Sequence, residues 1–287
     1  MASKMALTVG TRSIPLVAAS DKIDLKAVAQ FKPLQDWARN LAKEEAAVGA
    51  PAASSSSSGQ NNNSPSSSAE GQPSNPSPIT VHKIEVRSVD YFGPRVGFVN
   101  LSVDAQLTET GQRPPGLVFM RGGAVAVLLI VRSRQPSGVI SEHVVLTKQP
   151  RLSIPSFNFP EIPAGMLDGS GDFVGKCAEE LKEECGITLE NDKLIDMTQL
   201  AYGSDWSGVY PSAGGCDEFL RLFVSYKDMD WTQLQELEGR LGGLRDHGES
   251  ITLTLVELKN AYKAAPDAKL LSALALLQAL KAEGKIA

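Results

Sequence analysis

The sequence predicts an α+β protein, a mixed β-sheet sandwiched between helices and preceded by a small antiparallel β subdomain. Three observations predict it. The run AVAVLLIV from Ala124 is apolar at every position, the pattern of a strand covered on both faces. Before it, the stretches ITVHKIEV and VGFVNLSVDAQL alternate as antiparallel strands do, and FGP and TGQRPPG break them as turns. Two segments carry helical periodicity instead, one opening at Asp172 and one running from Asp267 to about Ala282.

Composition bounds the reading. A chain of 287 residues, 42% of them hydrophobic, can bury a substantial core in one or two domains. A net charge of −5 and a pI near 5.4 give no general electrostatic reason to bind nucleic acid or an anionic membrane. The longest apolar run is far shorter than the roughly 18 residues that a bilayer requires. Cys177, Cys185 and Cys216 form no CxxC pair, which fits a reducing compartment and small core residues rather than ligands. The expectation is a soluble, cytoplasmic protein. Lys4 and Arg12, with no acid in the first 20 residues, are also compatible with a short targeting sequence, which makes a plastid the alternative location.

In chain order, residues 1–50 form an N-terminal segment with one amphipathic helix over 24–45, where Phe31, Leu34, Trp37, Ala38 and Leu41 recur at helical spacing. Residues 51–78 are Ser, Asn, Pro and Gly with Glu70 the only charge, too little apolar surface to offset ordering, and read as a disordered linker. Residues 79–120 form the antiparallel β subdomain, and 121–287 the main domain. Within the latter, HVVLTKQ, LIDMTQLAY, FLRLFVSY and ITLTLVEL read as further strands. The Ala/Leu-rich final helix reads as core packing, with a dimer surface as the lesser alternative.

The stretch from Phe159 to Leu189 carries the chemistry. Its second half reads as a helix capped by Asp172 and stopped by Gly186. At about 100° per residue, Val174, Cys177, Ala178, Leu181 and Cys185 share one face, and Glu180 and Glu184 lie about 40° apart on its flank, with Glu183 about 60° beyond Glu180. Carboxylates crowded at the edge of a buried face require a compensating positive charge or bound protons. A hard cation such as Mg²⁺, which accepts a few carboxylate oxygens and keeps waters for phosphate to replace, supplies that charge. The plain alternative is a solvated acidic helix face.

Gly165 opens a Gly-rich turn ending at Gly171, and the segment resembles the Nudix box, a glycine followed at fixed spacing by RE-hydrophobic-xEExG-hydrophobic. Gly165, Glu180, Leu181, Glu183, Glu184, Gly186 and Ile187 are all in register. Two positions depart: Gly171 stands where the box has an acid, and Glu179 replaces the arginine that normally orients a box glutamate. Lys176, one turn earlier, could supply part of the missing positive charge. The blocks VDYFGPRVGF, VFMRGGAVAVLL, LTKQPR, EIPAGMLD, GDFVG, YPSAGGCDE and LRDHGES further resemble the ADP-sugar diphosphatase branch of the Nudix hydrolases, over residues 80–287, with a fainter echo in FKPLQDWARNLAKE.

The resemblance implies the Nudix fold and hydrolysis of ADP-sugars such as ADP-glucose and ADP-ribose to AMP and a sugar phosphate. It implies Mg²⁺, with Mn²⁺ as substitute, held by Glu180, Glu184 and the Ala164 carbonyl, with Glu161 a further acid of the site. Glu183, sharing a second ion, and Glu249, lying over the metals as base or water-positioning residue, are the candidate catalytic residues. Arg121 and Arg151 would clamp the diphosphate, since guanidinium forks match phosphate oxygens. Asp217 and Glu218 are further candidates for substrate contacts, and Trp206, Tyr202 and Tyr210 for an aromatic face toward adenine. Partners are expected to be a nucleoside diphosphosugar and a second copy of the chain in a homodimer. The alternatives are UDP-glucose as substrate, or a nucleotide-sugar-binding protein impaired in catalysis because of Glu179.

Overall fold

The computed structural model describes residues 3–49, 77–167, 172–188, 193–243 and 250–287. The chain divides into two compact units, Met1–Arg121 and Gly122–Ala287. In the first, β1 (Lys4–Val9) and β2 (Arg12–Ala18) form an antiparallel hairpin that turns at Gly10, whose φ of 56° suits a residue without a side chain. β3 (Ile79–Phe92) joins β2 in parallel, Leu16 opposite Ile84, and then runs antiparallel to β4 (Arg95–Leu107), which pairs with β5 (Leu117–Met120). The sheet order is therefore β1-β2-β3-β4-β5. A parallel pair needs a crossover, and α1 (Leu25–Ala29) and α2 (Lys32–Gly49) lie on it. Their Leu25, Val28, Leu34 and Ala38 share one buried cluster with Leu16, Ile84, Val99 and Met120 of the sheet.

This N-terminal part differs from the expectation in two ways. The single helix over 24–45 is two helices, because Pro33 lacks an N–H and disfavours helical geometry in the residue before it. Asp24 caps the first, its side chain accepting from the N–H groups of Lys26 and Ala27. Residues 4–18, for which the sequence reading assigned no strands, are paired strands whose Leu7, Val9, Ile14, Leu16 and Ala18 are buried. The alternation that marks them, ALTV and SIPLVA, is short and interrupted by Pro15. The linker assigned to 51–78 lies outside the described residues from 51 to 76.

The second unit is built on β6 (Ala124–Arg134). It pairs in parallel with β11 (Leu220–Asp228) and antiparallel with β7 (Ile140–Arg151) and β9 (Ala164–Met166). β8 (Ser156–Glu161) and β13 (Ile251–Glu257) also flank β7, β12 (Leu241–Gly242) follows β13, and β10 (Ile195–Asp196) follows β11. The sheet is mixed, and β6 is buried on both faces as its unbroken apolar run predicts. Ala126, Leu128 and Ile130 pack with Leu270, Ala273, Leu277 and Leu280 of α7 (Ala268–Ala282). Val127, Leu129 and Val131 pack with α3 (Phe173–Cys185) through Cys177, Leu181 and Cys185, and with α5 (Trp231–Leu237) through Leu234 and Leu237. Each such fully buried aliphatic side chain contributes about 1.5–3 kcal/mol. The α+β sandwich of the sequence reading is the observed architecture, and the final helix is core.

LIDMTQLAY is a correction. Only Ile195 and Asp196 pair as a strand, and α4 (Met197–Tyr202) follows. The Asp196 carboxylate accepts from the Gln199 N–H and caps the helix, so a local hydrogen bond overrides the apolar alternation. A short α6 (Ala261–Ala264) links β13 to α7.

Because Ile14 is fully enclosed in the first unit, Ile14→Ala is expected to lower its stability by about 2–5 kcal/mol in chemical denaturation. A change below about 0.5 kcal/mol, the range of surface substitutions, would mean the hairpin is not part of that core.

Candidate active site

Helix α3 is fixed at both ends by its own sequence. Asp172 accepts from the Gly175 N–H at 2.8 Å, and Gly186, at φ 63°, lets Ile187 N–H reach back to the Leu181 carbonyl at 3.2 Å. Cys177, Leu181 and Cys185 point into the core. Burial pushes both thiols up, reinforced by neighbouring carboxylates, so they stay protonated and serve as packing. With that face turned inward, Glu180 and Glu184 are drawn to the edge of the sheet.

There they meet β9. Glu184, only 5% exposed, accepts from the Ala164 N–H at 3.2 Å through Oε2. Glu180 lies directly on Gly165, where a Cβ would stand 1.8 Å from its Oε1. Gly165 thus belongs to a strand, paired with Val125, and does not open a turn as the sequence suggested. Its lack of a side chain is what admits the carboxylate. Lys176 Nζ sits 2.9 Å from Glu180 Oε1 and 2.9 Å from Glu179 Oε2. Burial works against the Lys176 charge, but its bonds to Glu180 and Glu179 more than offset that and hold the ammonium above the ordinary lysine range. A positive charge thus stands beside Glu180, while Glu179 is 54% exposed. Glu183 is half-buried, and its carbonyl accepts from Gly243 N–H at 3.1 Å. Gly242 is pressed onto the same turn, since a Cβ there would lie 1.8 Å from the Glu184 carbonyl oxygen.

Three residues before Ala164, Glu161 is 2% exposed and engaged on both oxygens. Arg151 Nε donates to Oε1 at 2.7 Å, and Lys269 Nζ donates to Oε2 at 2.7 Å. Lys269 also reaches Asp267 Oδ1 at 3.0 Å, and Asp267 caps α7 while accepting from Ile162 N–H at 3.2 Å. Burial pushes the Glu161 carboxyl up, and the Arg151 bond and Lys269 charge more than reverse it, leaving it below the usual glutamate range.

The structure thus brings together Glu161, Arg151, Ala164, Glu180 and Glu184 through β7, β8, β9 and α3. The other described candidates make contacts of their own. Asp217 holds the start of β6, its two carboxylate oxygens 3.1 and 3.2 Å from the Gly122 N–H. Glu218 N–H donates to Cys216 Sγ at 3.5 Å. Arg121, the last residue of the first unit, places its guanidinium 5.7 Å from the Phe98 ring centre. Trp206 and Tyr210 meet edge to face, and Tyr210 also contacts Phe219, whereas Tyr202 ends α4. Glu249 and Gly171 lie outside the described residues. Sequence reasoning missed Asp267 and Lys269. The DAKLL spacing identifies a capped helix start, but nothing local tells that Lys269 meets a glutamate 108 positions earlier.

No family model matches the chain. A protein of Arabidopsis thaliana described as Nudix hydrolase 14, chloroplastic, is 36% identical over 209 residues, 72% of this chain. Its matched part is 66% of its own length, just under two thirds. The chain is thus similar to a Nudix hydrolase over most of its length. A solved structure titled as an ADP compounds hydrolase aligns with a TM-score of 0.46 and 17% identity, over 72% of this chain and 97% of that one.

The donor set can be tested against the Mg²⁺ that the resemblance implies. Among the described residues, no three His, Cys, Asp or Glu side chains cluster closely enough to form a preformed cage. Glu180, Glu184 and the Ala164 carbonyl are hard oxygen donors of the kind Mg²⁺ takes, and Mg²⁺ keeps several waters rather than demanding an all-protein shell. The fit lies in donor chemistry. Glu161 differs, because two cations already occupy its oxygens.

A carboxyl held below its unfolded pKa contributes stability that is fully present above that unfolded value, about 4.3, and is lost as pH falls through the folded one. The difference in unfolding midpoint between wild type and Glu161→Gln is therefore expected to narrow as pH falls below about 4.3. A difference independent of pH would show that Glu161 gains nothing from its two cations.

Proposed function

We propose that this chain is a magnesium-dependent hydrolase that cleaves the diphosphate of ADP-sugars, giving AMP and a sugar phosphate. The observation that carries the proposal is the seating of Glu180 and Glu184 on the Ala164–Gly165 backbone, which concentrates anionic oxygen at one strand end. The similarity to a Nudix hydrolase of Arabidopsis thaliana supports it. Glu180, Glu184 and the Ala164 carbonyl would hold the ion, with Glu183 contributing to a second. When bound, the metal supplies charge neutralisation at the diphosphate and acidifies a coordinated water. Arg151, fixed at its Nε by Glu161, has further N–H donors of the geometry that forks onto phosphate oxygens. Arg121 is proposed for the same role. Glu249 is proposed as the base on the resemblance alone.

Lys176 beside Glu180 favours an active hydrolase over a binding protein without turnover, since it replaces the charge lost at Glu179. A plastid location, homodimerisation and Mn²⁺ as substitute metal belong to the same proposal, supported by the description of the Arabidopsis relative for the first and by family resemblance for the others.

Purified protein is expected to release AMP from ADP-glucose or ADP-ribose with Mg²⁺, to stop in EDTA and to recover with Mg²⁺ or Mn²⁺. Intact ADP-glucose, ADP-ribose and UDP-glucose under excess Mg²⁺ would refute the assignment, and UDP-glucose outcompeting ADP-glucose would change the base. Glu184→Gln is expected to lower kcat by on the order of a hundredfold, the scale of one lost electrostatic contact in a transition state. Gly165→Ala, which forces Glu180 away, is expected to cost about as much in kcat/KM, the effect of a displacement near 1 Å. Full activity in either variant, measured by AMP release, would remove the metal role from that carboxylate.

A further inference from the structure

A quartet of charges, its two carboxylates buried, lies beside the candidate site without belonging to the acid cluster. Arg151 comes from the end of β7, Glu161 from the end of β8, and Asp267 and Lys269 from the start of α7. Two positive and two negative groups cancel, and Glu161 stands at the centre with one cation on each oxygen at 2.7 Å. Lys269 is pinned from behind by Asp267 at 3.0 Å, and Asp267 is itself tied to the backbone of Ile162. Metal coordination needs carboxylate lone pairs facing an open position, whereas those of Glu161 face an arginine and a lysine. Directional bonds to Nε also fix the plane of the Arg151 guanidinium, which a free surface arginine would not have.

We infer that Glu161 is a positioning residue, not a metal ligand, and that Lys269 of the C-terminal helix holds it so that Arg151 is presented to a diphosphate. The inference rests on the proposed diphosphate substrate and adds an element that the glutamate helix does not supply. This relay connects the start of α7 to Arg151. A desolvated charge that loses its partner shifts the group it was orienting, so damage at Lys269 should appear as weakened phosphate binding and not as weakened metal binding.

The test uses three variants of the full chain: Glu161→Gln, Lys269→Met, and the double variant, which deletes one charge of each sign and so guards against misfolding of Lys269→Met. Two equilibrium titrations are read on each after its thermal unfolding is recorded: Mn²⁺ alone, and the non-cleavable α,β-methylene analogue of ADP-ribose with Mg²⁺. The analogue is expected to bind about tenfold more weakly in all folded variants, with Mn²⁺ affinity within about threefold of wild type. Lys269→Arg, which retains a cation for Glu161, should recover most of the analogue affinity. Mn²⁺ binding weakened tenfold or more in Glu161→Gln would make Glu161 a ligand and overturn the inference, as would unchanged analogue affinity in the double variant. Turnover is a separate measurement: wild type that binds the analogue without cleaving ADP-ribose sinks the hydrolase reading and leaves this one standing.

Discussion

Negative charge drawn in toward an apolar core must be answered on the spot, and the second unit is arranged around that demand. Water cannot screen Glu161, Glu180 and Glu184 as it screens surface acids, because the inward faces of α3 and β6 pull their backbones against the sheet. Each is answered differently. Glu161 receives two side-chain cations, Glu180 a lysine from its own helix, and Glu184 a backbone N–H.

Periodicity made much of this legible. The apolar run at β6 fixed a strand covered on both sides, and the spacing from Asp172 to Gly186 fixed a helix with its cysteines inward and glutamates at the rim. Such signals are local, requiring only the geometry of a few turns or pleats. What stayed hidden was long-range or decided by a single residue. Pro33 split a helix, Asp196 capped a helix inside an apparent strand, and Lys269 acquired its meaning only from a residue brought close by the fold. The function of Gly165 was misread for the same reason: a glycine that marks a turn and one that makes room for a carboxylate are identical in sequence.

The first unit illustrates the limits of composition. Residues 4–18 have few charges and are richer in apolar residues than the chain as a whole, a profile shared by leaders and by strands. Their pairing with each other and with β3 gives them a place in the sheet, and the two helices of the crossover cover its buried residues. The pairing with β3 is non-local, and hydropathy windows do not register it.

The placement of Cys177 and Cys185 on the hidden side of α3 has a practical meaning. Both thiols are sealed beneath the very helix that carries Glu180 and Glu184 on its outer flank. An alkylating reagent can reach them only while that helix is lifted from the sheet. The chain therefore carries its own internal clock, in which the pace of thiol labelling counts how often the carboxylate platform comes apart, and anything that steadies the platform slows the count.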